Sequence, residues 1–189
     1  MKIENVQVYG LENAIQCSKY PMAVDVNELN PEVTDTVLNL GKSLMGSGHD
    51  NFLNGIVVQF DLTFSIKAWV EAERYHFLDF ISSQSTMHRI AKFDIKTQCN
   101  SYVTENTINE VERLKGIYLE TNEKEDYLRL LYNVPAGFEL TAGMTTNYRQ
   151  LKTIYHQRKN HRLPEWREFC NWVKELPMFR ELCLGEKES

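Results

Sequence analysis

Between positions 74 and 89 the chain reads Arg74-Tyr75-His76-Phe77-Leu78-Asp79-Phe80-Ile81-Ser82-Ser83-Gln84-Ser85-Thr86-Met87-His88-Arg89. Two arginines and two histidines flank a Ser/Gln stretch. Hydroxyls, an amide and guanidinium forks are the groups that bind a phosphate and a pyrimidine edge. The stretch is therefore a candidate anion site, with a solvated turn as the alternative. A second concentration of charge follows. From Arg149 to Arg167, Arg149, Lys152, Arg158, Lys159, Arg162 and Arg167 stand against Glu165 alone, a local +5 in a chain of net charge −5. A basic segment on an acidic protein points to a discrete anion rather than a long polyanion, and nucleic acid is not the expected partner. The bland alternative is a solvated helix face.

Other chemistries lack their signatures. The histidines (His49, His76, His88, His156, His161) show no metal-binding spacing, so no metal site is expected. There is no phosphate loop, dinucleotide fingerprint or nucleophile elbow. Gly46-Ser47-Gly48-His49 reads as a turn. Cys17, Cys99, Cys170 and Cys183 are scattered without a C-x-x-C pair, which predicts reduced, mostly buried thiols. The hydrophobic fraction of 42% and charged fraction of 25% are globular values. No apolar run approaches the roughly 20 residues of a membrane helix. The start, Met1-Lys2-Ile3-Glu4-Asn5, is unlike a secretory leader, so a cytoplasmic location is expected.

These side chains need a frame. Alternation over Ile3–Tyr9 predicts a strand, and Asn30-Pro31 predicts the start of a helix whose stripe is Val33, Val37 and Leu40 and whose stop is Gly41. From Ile56 to Ile66 the alternation is unbroken, with Ile56, Val58, Phe60, Leu62, Phe64 and Ile66 on one face, which predicts a long half-buried strand. A helix is expected over 67–77, and a loop over Ile81–Thr86. Thr107-x-x-Glu110 reads as a capping box, and a further helix is expected over 123–132, ended by Pro135-Ala136-Gly137. Thr146 is expected to cap a helix to Arg158, with Asn147, Leu151, Ile154 and Arg158 on one stripe. Leu163-Pro164 opens a last helix with Trp166, Phe169, Cys170 and Val173 inward. The charged tail from Gly185 is expected to fray.

The order of these features resembles the flavin-dependent thymidylate synthases. Their signature is Arg-His-Arg, seven residues, then Ser with an Arg two later, preceded by a Gly-His. Here Gly48-His49 leads without a gap to Arg74-Tyr75-His76, with Ser85 one residue late and Arg89 four beyond it. A second motif, Leu-Pro, twelve residues, Asn-x-Arg and a later Arg, is matched by Pro135, Asn147, Arg149 and Arg158, and His161 with Glu165-Trp166-Arg167 resembles the family's next segment. The resemblance runs from about Gly48 to Arg167. It implies an α+β fold in which long antiparallel strands form one sheet packed with helices, in a single domain 1–189. It implies Arg74, Glu71, Gln84, Ser85, Arg89 and Arg158 at a nucleotide site, with Arg158 and Ser85 closest to catalysis. His49, Arg74, Tyr75, His76, Asn147, Arg149 and His161 would face FAD.

The reaction so implied is reductive methylation of dUMP to dTMP, with methylenetetrahydrofolate as carbon donor and NADPH regenerating the flavin, in a homotetramer whose subunits share active sites. Departures fall mostly on the flavin side. Tyr75 and His76 replace His and Arg, and Asn54 replaces an acidic contact. Glu71 stands where the family carries Gln beside the nucleotide. Two alternatives follow: a related pyrimidine C5 methyl or hydroxymethyl transfer, or a non-catalytic nucleotide- or partner-binding protein on the same scaffold.

Overall fold

The computed structural model describes residues 1–186. In chain order, β1 (Lys2–Tyr9) is followed by α1 (Leu11–Cys17) and α2 (Asp35–Gly41), then β2 (Val57–Ser65) and α3 (Ile66–Ala72). Next come β3 (Asp79–Ser83) and the helices α4 (Thr86–Arg89), α5 (Ile95–Gln98), α6 (Glu105–Thr121) and α7 (Lys124–Tyr132). The chain then returns as β4 (Glu139–Asn147), α8 (Tyr148–Arg158) and α9 (Pro164–Val173), and a π-helical turn follows at Arg180–Leu184. The four strands form one antiparallel sheet in the order β1-β2-β4-β3, so the expected α+β class with long antiparallel strands is what is observed.

Strand β2 carries the fold. Ile56, Val58, Phe60, Leu62 and Phe64 are at most 2% exposed, and burying each such side chain is worth roughly 1.5–3 kcal/mol. They meet α9, where Phe64 packs edge-on to Trp166 at 5.0 Å between ring centres. A second, smaller core of Ile90, Ile95, Val111, Leu114, Leu130 and Phe138 sits under the helices between β3 and β4.

Several expected boundaries move, each for a local reason. Ile66 does not extend β2. Ser65 instead caps α3, its hydroxyl accepting from the Ala68 N–H at 3.2 Å. That helix ends at Ala72, short of Phe77, because the chain turns there and buries Tyr75. The Ile81–Thr86 stretch is not all loop. Asp79–Ser83 pairs along β4, and as an edge strand with exposed side chains it needs no apolar pattern. The capping pair of α6 is Thr104 on the Thr107 N–H, three residues earlier than expected, while Glu110 pairs with Arg113. Asn30-Pro31 forms a turn, the Asn30 side chain accepting from the Glu32 N–H and from Lys19, and Thr34 caps α2 instead. Gly41 does end α2, and the fold requires glycine there for another reason: a Cβ would lie 2.2 Å from the Leu182 carbonyl oxygen. The sequence predicts no strand between Gly137 and Thr146; β4 occupies that stretch, and its buried Ala142, Met144 and Thr146 form only a weakly apolar face. The cap of α8 is accordingly Asn147, not Thr146. At the C-terminus, the Glu186 N–H donates to the Arg180 carbonyl, and the rest of the tail expected to fray lies outside the described residues.

Candidate functional site

The C-terminal end of α8 gathers the chemistry. Arg158 donates from Nη1 to Glu71 Oε2 at 2.6 Å and from Nε to the Tyr75 hydroxyl at 2.7 Å. Tyr75 passes its own proton on to Gln157 Oε1 at 3.0 Å. The guanidinium carbon lies 5.1 Å from the Trp166 ring centre and 5.5 Å from that of Tyr75, which are cation–π distances. His161 Nε2 approaches the same Glu71 oxygen at 3.3 Å. The side chains of Arg158 and Glu71 are 12% and 17% exposed, so the pair is shielded yet reachable. Burial favours the neutral form of Glu71, but Arg158, with His161 and Arg74, outweighs it and holds the carboxyl below its ordinary range.

Local folding explains why these groups meet. Glu165 is buried and accepts from the Ser65 N–H at 2.8 Å and from its hydroxyl at 3.0 Å, tying the start of α9 to the start of α3. Trp166 is the next residue, and Glu71 lies at the far end of α3. Arg167 donates to the carbonyls of His161 and Arg162 and closes the turn between α8 and α9.

The other nucleotide-side residues are placed less closely. Arg74 is exposed and near enough for its charge to act on Glu71. Gln84 spends its amide oxygen on the Thr141 N–H at 2.9 Å, extending the β3–β4 ladder by one residue. Ser85 precedes α4, and its carbonyl accepts from the Arg89 N–H. Arg89 is exposed and, among the described residues, shares no hydrogen bond or ion pair with the Arg158 cluster. Its neighbour Ile90 is buried in the smaller core, and Tyr127 on α7 donates to the Met87 carbonyl at 2.6 Å, so this loop is held by the other core.

The N-terminal end of α8 bears the residues expected at a flavin, and they are otherwise engaged. Asn147 accepts from the Gln150 N–H at 2.9 Å as the helix cap, so it does not share a helical stripe with Arg158. Arg149 Nε donates to Asp50 Oδ1 at 3.0 Å. Lys152 donates to Asp50 Oδ2 at 2.8 Å and to the carbonyls of Gly41 and Ser43 at 2.8 and 2.7 Å. Lys152 belongs to the basic segment visible in the sequence, but Asp50 is not marked there, and no signal links positions 102 apart. Tyr75 turns to Arg158 and His161 to Glu71, while His49 and His76 are exposed. A cavity of about 200 Å³ lies beside Asp50, Asn54, Phe77, Asn147 and Arg149. It is below the roughly 300 Å³ at which ligand pockets begin; Asp50 takes Arg149 Nε, while the Nη groups of Arg149 have no partner among the described residues. Within one chain, this cavity is too small to hold a dinucleotide such as FAD.

The basic segment is thus partly neutralised from elsewhere in the chain: Arg149 and Lys152 share Asp50, and Arg158 pairs with Glu71. The cysteines are free, and burial pushes the Cys170 thiol up to about 12 and Cys183 further, which suits inert packing. A larger cavity, about 560 Å³, lies away from this cluster among Ser65, Lys67, Tyr102, Gly137 and Arg162. Among the described residues no helix is long and apolar enough to cross a membrane.

No protein-family model matches the chain, and no curated protein matches its sequence. Its structure is similar to two solved structures of the flavin-dependent thymidylate synthase of Helicobacter pylori, both complexed with FAD and dUMP. One superposes with a TM-score of 0.75 at 15% identity, the other with 0.77 at 14%, each covering 96% of both chains. At such identities the likeness establishes a shared fold along nearly the whole chain.

Proposed function

We propose that this protein binds a pyrimidine mononucleotide at the Arg158 cluster, on the fold of the flavin-dependent thymidylate synthases. The observation that carries the reading is the guanidinium of Arg158. It is clamped by Tyr75, Glu71 and Trp166 and still carries, on Nη2, donors without a partner among the described residues. Such a fixed fork suits a ring carbonyl. Ser85, Gln84, Arg74 and Arg89 would lie toward the phosphate. Glu71 already offsets the charge of Arg158, which weakens its capacity to stabilise negative charge developing on the ring.

The fuller reading is catalytic: methylation of dUMP to dTMP with methylenetetrahydrofolate, FAD and NADPH. It is supported by the fold and by the FAD and dUMP bound to both structural neighbours. Because one chain does not assemble the flavin donors, this reading calls for a homotetramer with shared sites. The edge strand β3, with Phe80 and Ile81 exposed, is the kind of surface a second copy covers. Thermal stabilisation by dUMP tests the nucleotide reading. It should appear in the wild type and vanish in Arg158→Ala while circular dichroism stays unchanged. Unaltered stabilisation in the variant would remove Arg158 from the site. Flavin absorbance in the purified protein, or FAD binding on titration, decides for the catalytic reading; colourless protein that ignores FAD but binds dUMP decides for a binder.

A further inference from the structure

The cavity of about 560 Å³ is lined by the starts of α3 and α9 and by the turn before α6, and its volume is that of a small-molecule site. Val103, Ala136, Leu163 and Pro164 make its wall partly apolar. The side chains that could hold a guest stand on fixed backbone. The Lys67 N–H donates to the Ala136 carbonyl at 2.9 Å, and the Arg162 carbonyl accepts from Arg167 Nη1 at 2.9 Å. Tyr102 lies in a turn closed by the Val103 N–H on the Asn100 carbonyl at 3.1 Å. That turn packs so tightly on Gly137 that a Cβ there would lie 2.5 Å from Val103 Cγ2. The tips are unengaged: Lys67 and Arg162 have no side-chain partner among the described residues, and Tyr102 is 78% exposed.

Carboxylates share the wall. Glu165 is bound by Ser65, and Glu139 lies 3.5 Å from the Met1 nitrogen, whereas the Glu168 side chain has no partner among the described residues. Unengaged charges of both signs thus line one cavity. A guest that is only an anion meets Glu168 as well as the cations, and one that is only a cation meets Lys67 and Arg162. A guest carrying both charges satisfies all three groups without a like-charge contact. We propose that this cavity binds a free α-amino acid with an aromatic side chain. Lys67 and Arg162 take its carboxylate, Glu168 its ammonium, and Tyr102, Val103 and Leu163 its ring. Arg149, Lys152 and Arg158 pair within the chain, so Arg162 is a cation left for the discrete anion that the basic segment predicts. The site is separate from the Arg158 cluster and does not depend on nucleotide binding there.

The test is calorimetric titration of the full-length protein with L-phenylalanine, with 3-phenylpropanoate, which lacks the ammonium, and with 2-phenylethylamine, which lacks the carboxylate. The wild type should bind L-phenylalanine about tenfold or more tightly than either analogue, because each has lost a charge-assisted hydrogen bond. Arg162→Ala should lose L-phenylalanine while circular dichroism stays unchanged, since that side chain holds nothing else among the described residues. Glu168→Gln should weaken L-phenylalanine to near the level of 3-phenylpropanoate without weakening 3-phenylpropanoate itself. No binding of L-phenylalanine by the wild type overturns the proposal. So does 3-phenylpropanoate binding as tightly as L-phenylalanine, which would make this an anion site, or 2-phenylethylamine doing so. Unchanged L-phenylalanine affinity in folded Arg162→Ala would place the amino acid elsewhere and overturns it too.

Discussion

Helix α8 carries an ion pair at each end, and the two ends are built on opposite principles. At its start, Lys152 and Asp50 are 2% and 1% exposed, and all three ammonium protons of Lys152 have an acceptor. That knot ties the Gly41–Asp50 segment to the helix and leaves no proton of Lys152 for a ligand. At its end, Arg158 and Glu71 are several times more exposed, are buttressed by aromatic rings, and keep a donor and an acceptor unpartnered among the described residues. The lesson is that pairing alone does not distinguish structure from site. Full satisfaction of a buried cation marks the Lys152 pair as structural, and incomplete satisfaction within an aromatic frame marks the candidate site at Arg158.

The comparison breaks first at the closed end. Asp50→Ala would strand the buried ammonium of Lys152 and should cost roughly 3–5 kcal/mol in urea unfolding. Arg158→Ala, whose ligand readout is described above, should cost less, roughly 1–2 kcal/mol, because its partner reaches solvent and mainly the stacking is lost. Equal losses in the two variants would erase the distinction between the ends. Asn147→Ala should cost about 1 kcal/mol by uncapping α8 without touching either pair. A much larger loss, or loss of FAD binding with little change in stability, would return Asn147 to a ligand role.

The smallest effect is an acid titration. The Glu71 carboxyl is held below its ordinary range in the folded protein, so its contribution is complete above the unfolded value of about 4.3 and fades as pH falls through the lower folded value. Tryptophan fluorescence, reporting on Trp166 against Arg158, should show an acid step in the wild type that is missing in Glu71→Gln. Identical titration curves would mean that the carboxylate does not hold the cluster.

The sequence was strongest where one residue pattern suffices. Strand β2 was visible because its alternating face is buried against helices, and α9 because Pro164 and an aromatic stripe mark it. Arg158, Arg74 and Glu71 could be picked out by type and order along the chain. Strands β3 and β4 stayed hidden because Ser82-Ser83 and Ala142-Gly143 carry little strand signal without their ladder partners.

What the chain by itself determined is therefore the local vocabulary: periodic faces, caps, and the set of guanidinium and carboxylate groups available for chemistry. Only the tertiary structure decided which charges meet. Asp50 reaches Lys152 across 102 positions and Glu71 reaches Arg158 across 87. Long-range pairing is set by how helices pack on the sheet, and no property of either residue's neighbours in sequence encodes it. The same packing turned Asn147 into a cap and left Glu71 Oε1 and Arg158 Nη2 without partners among the described residues.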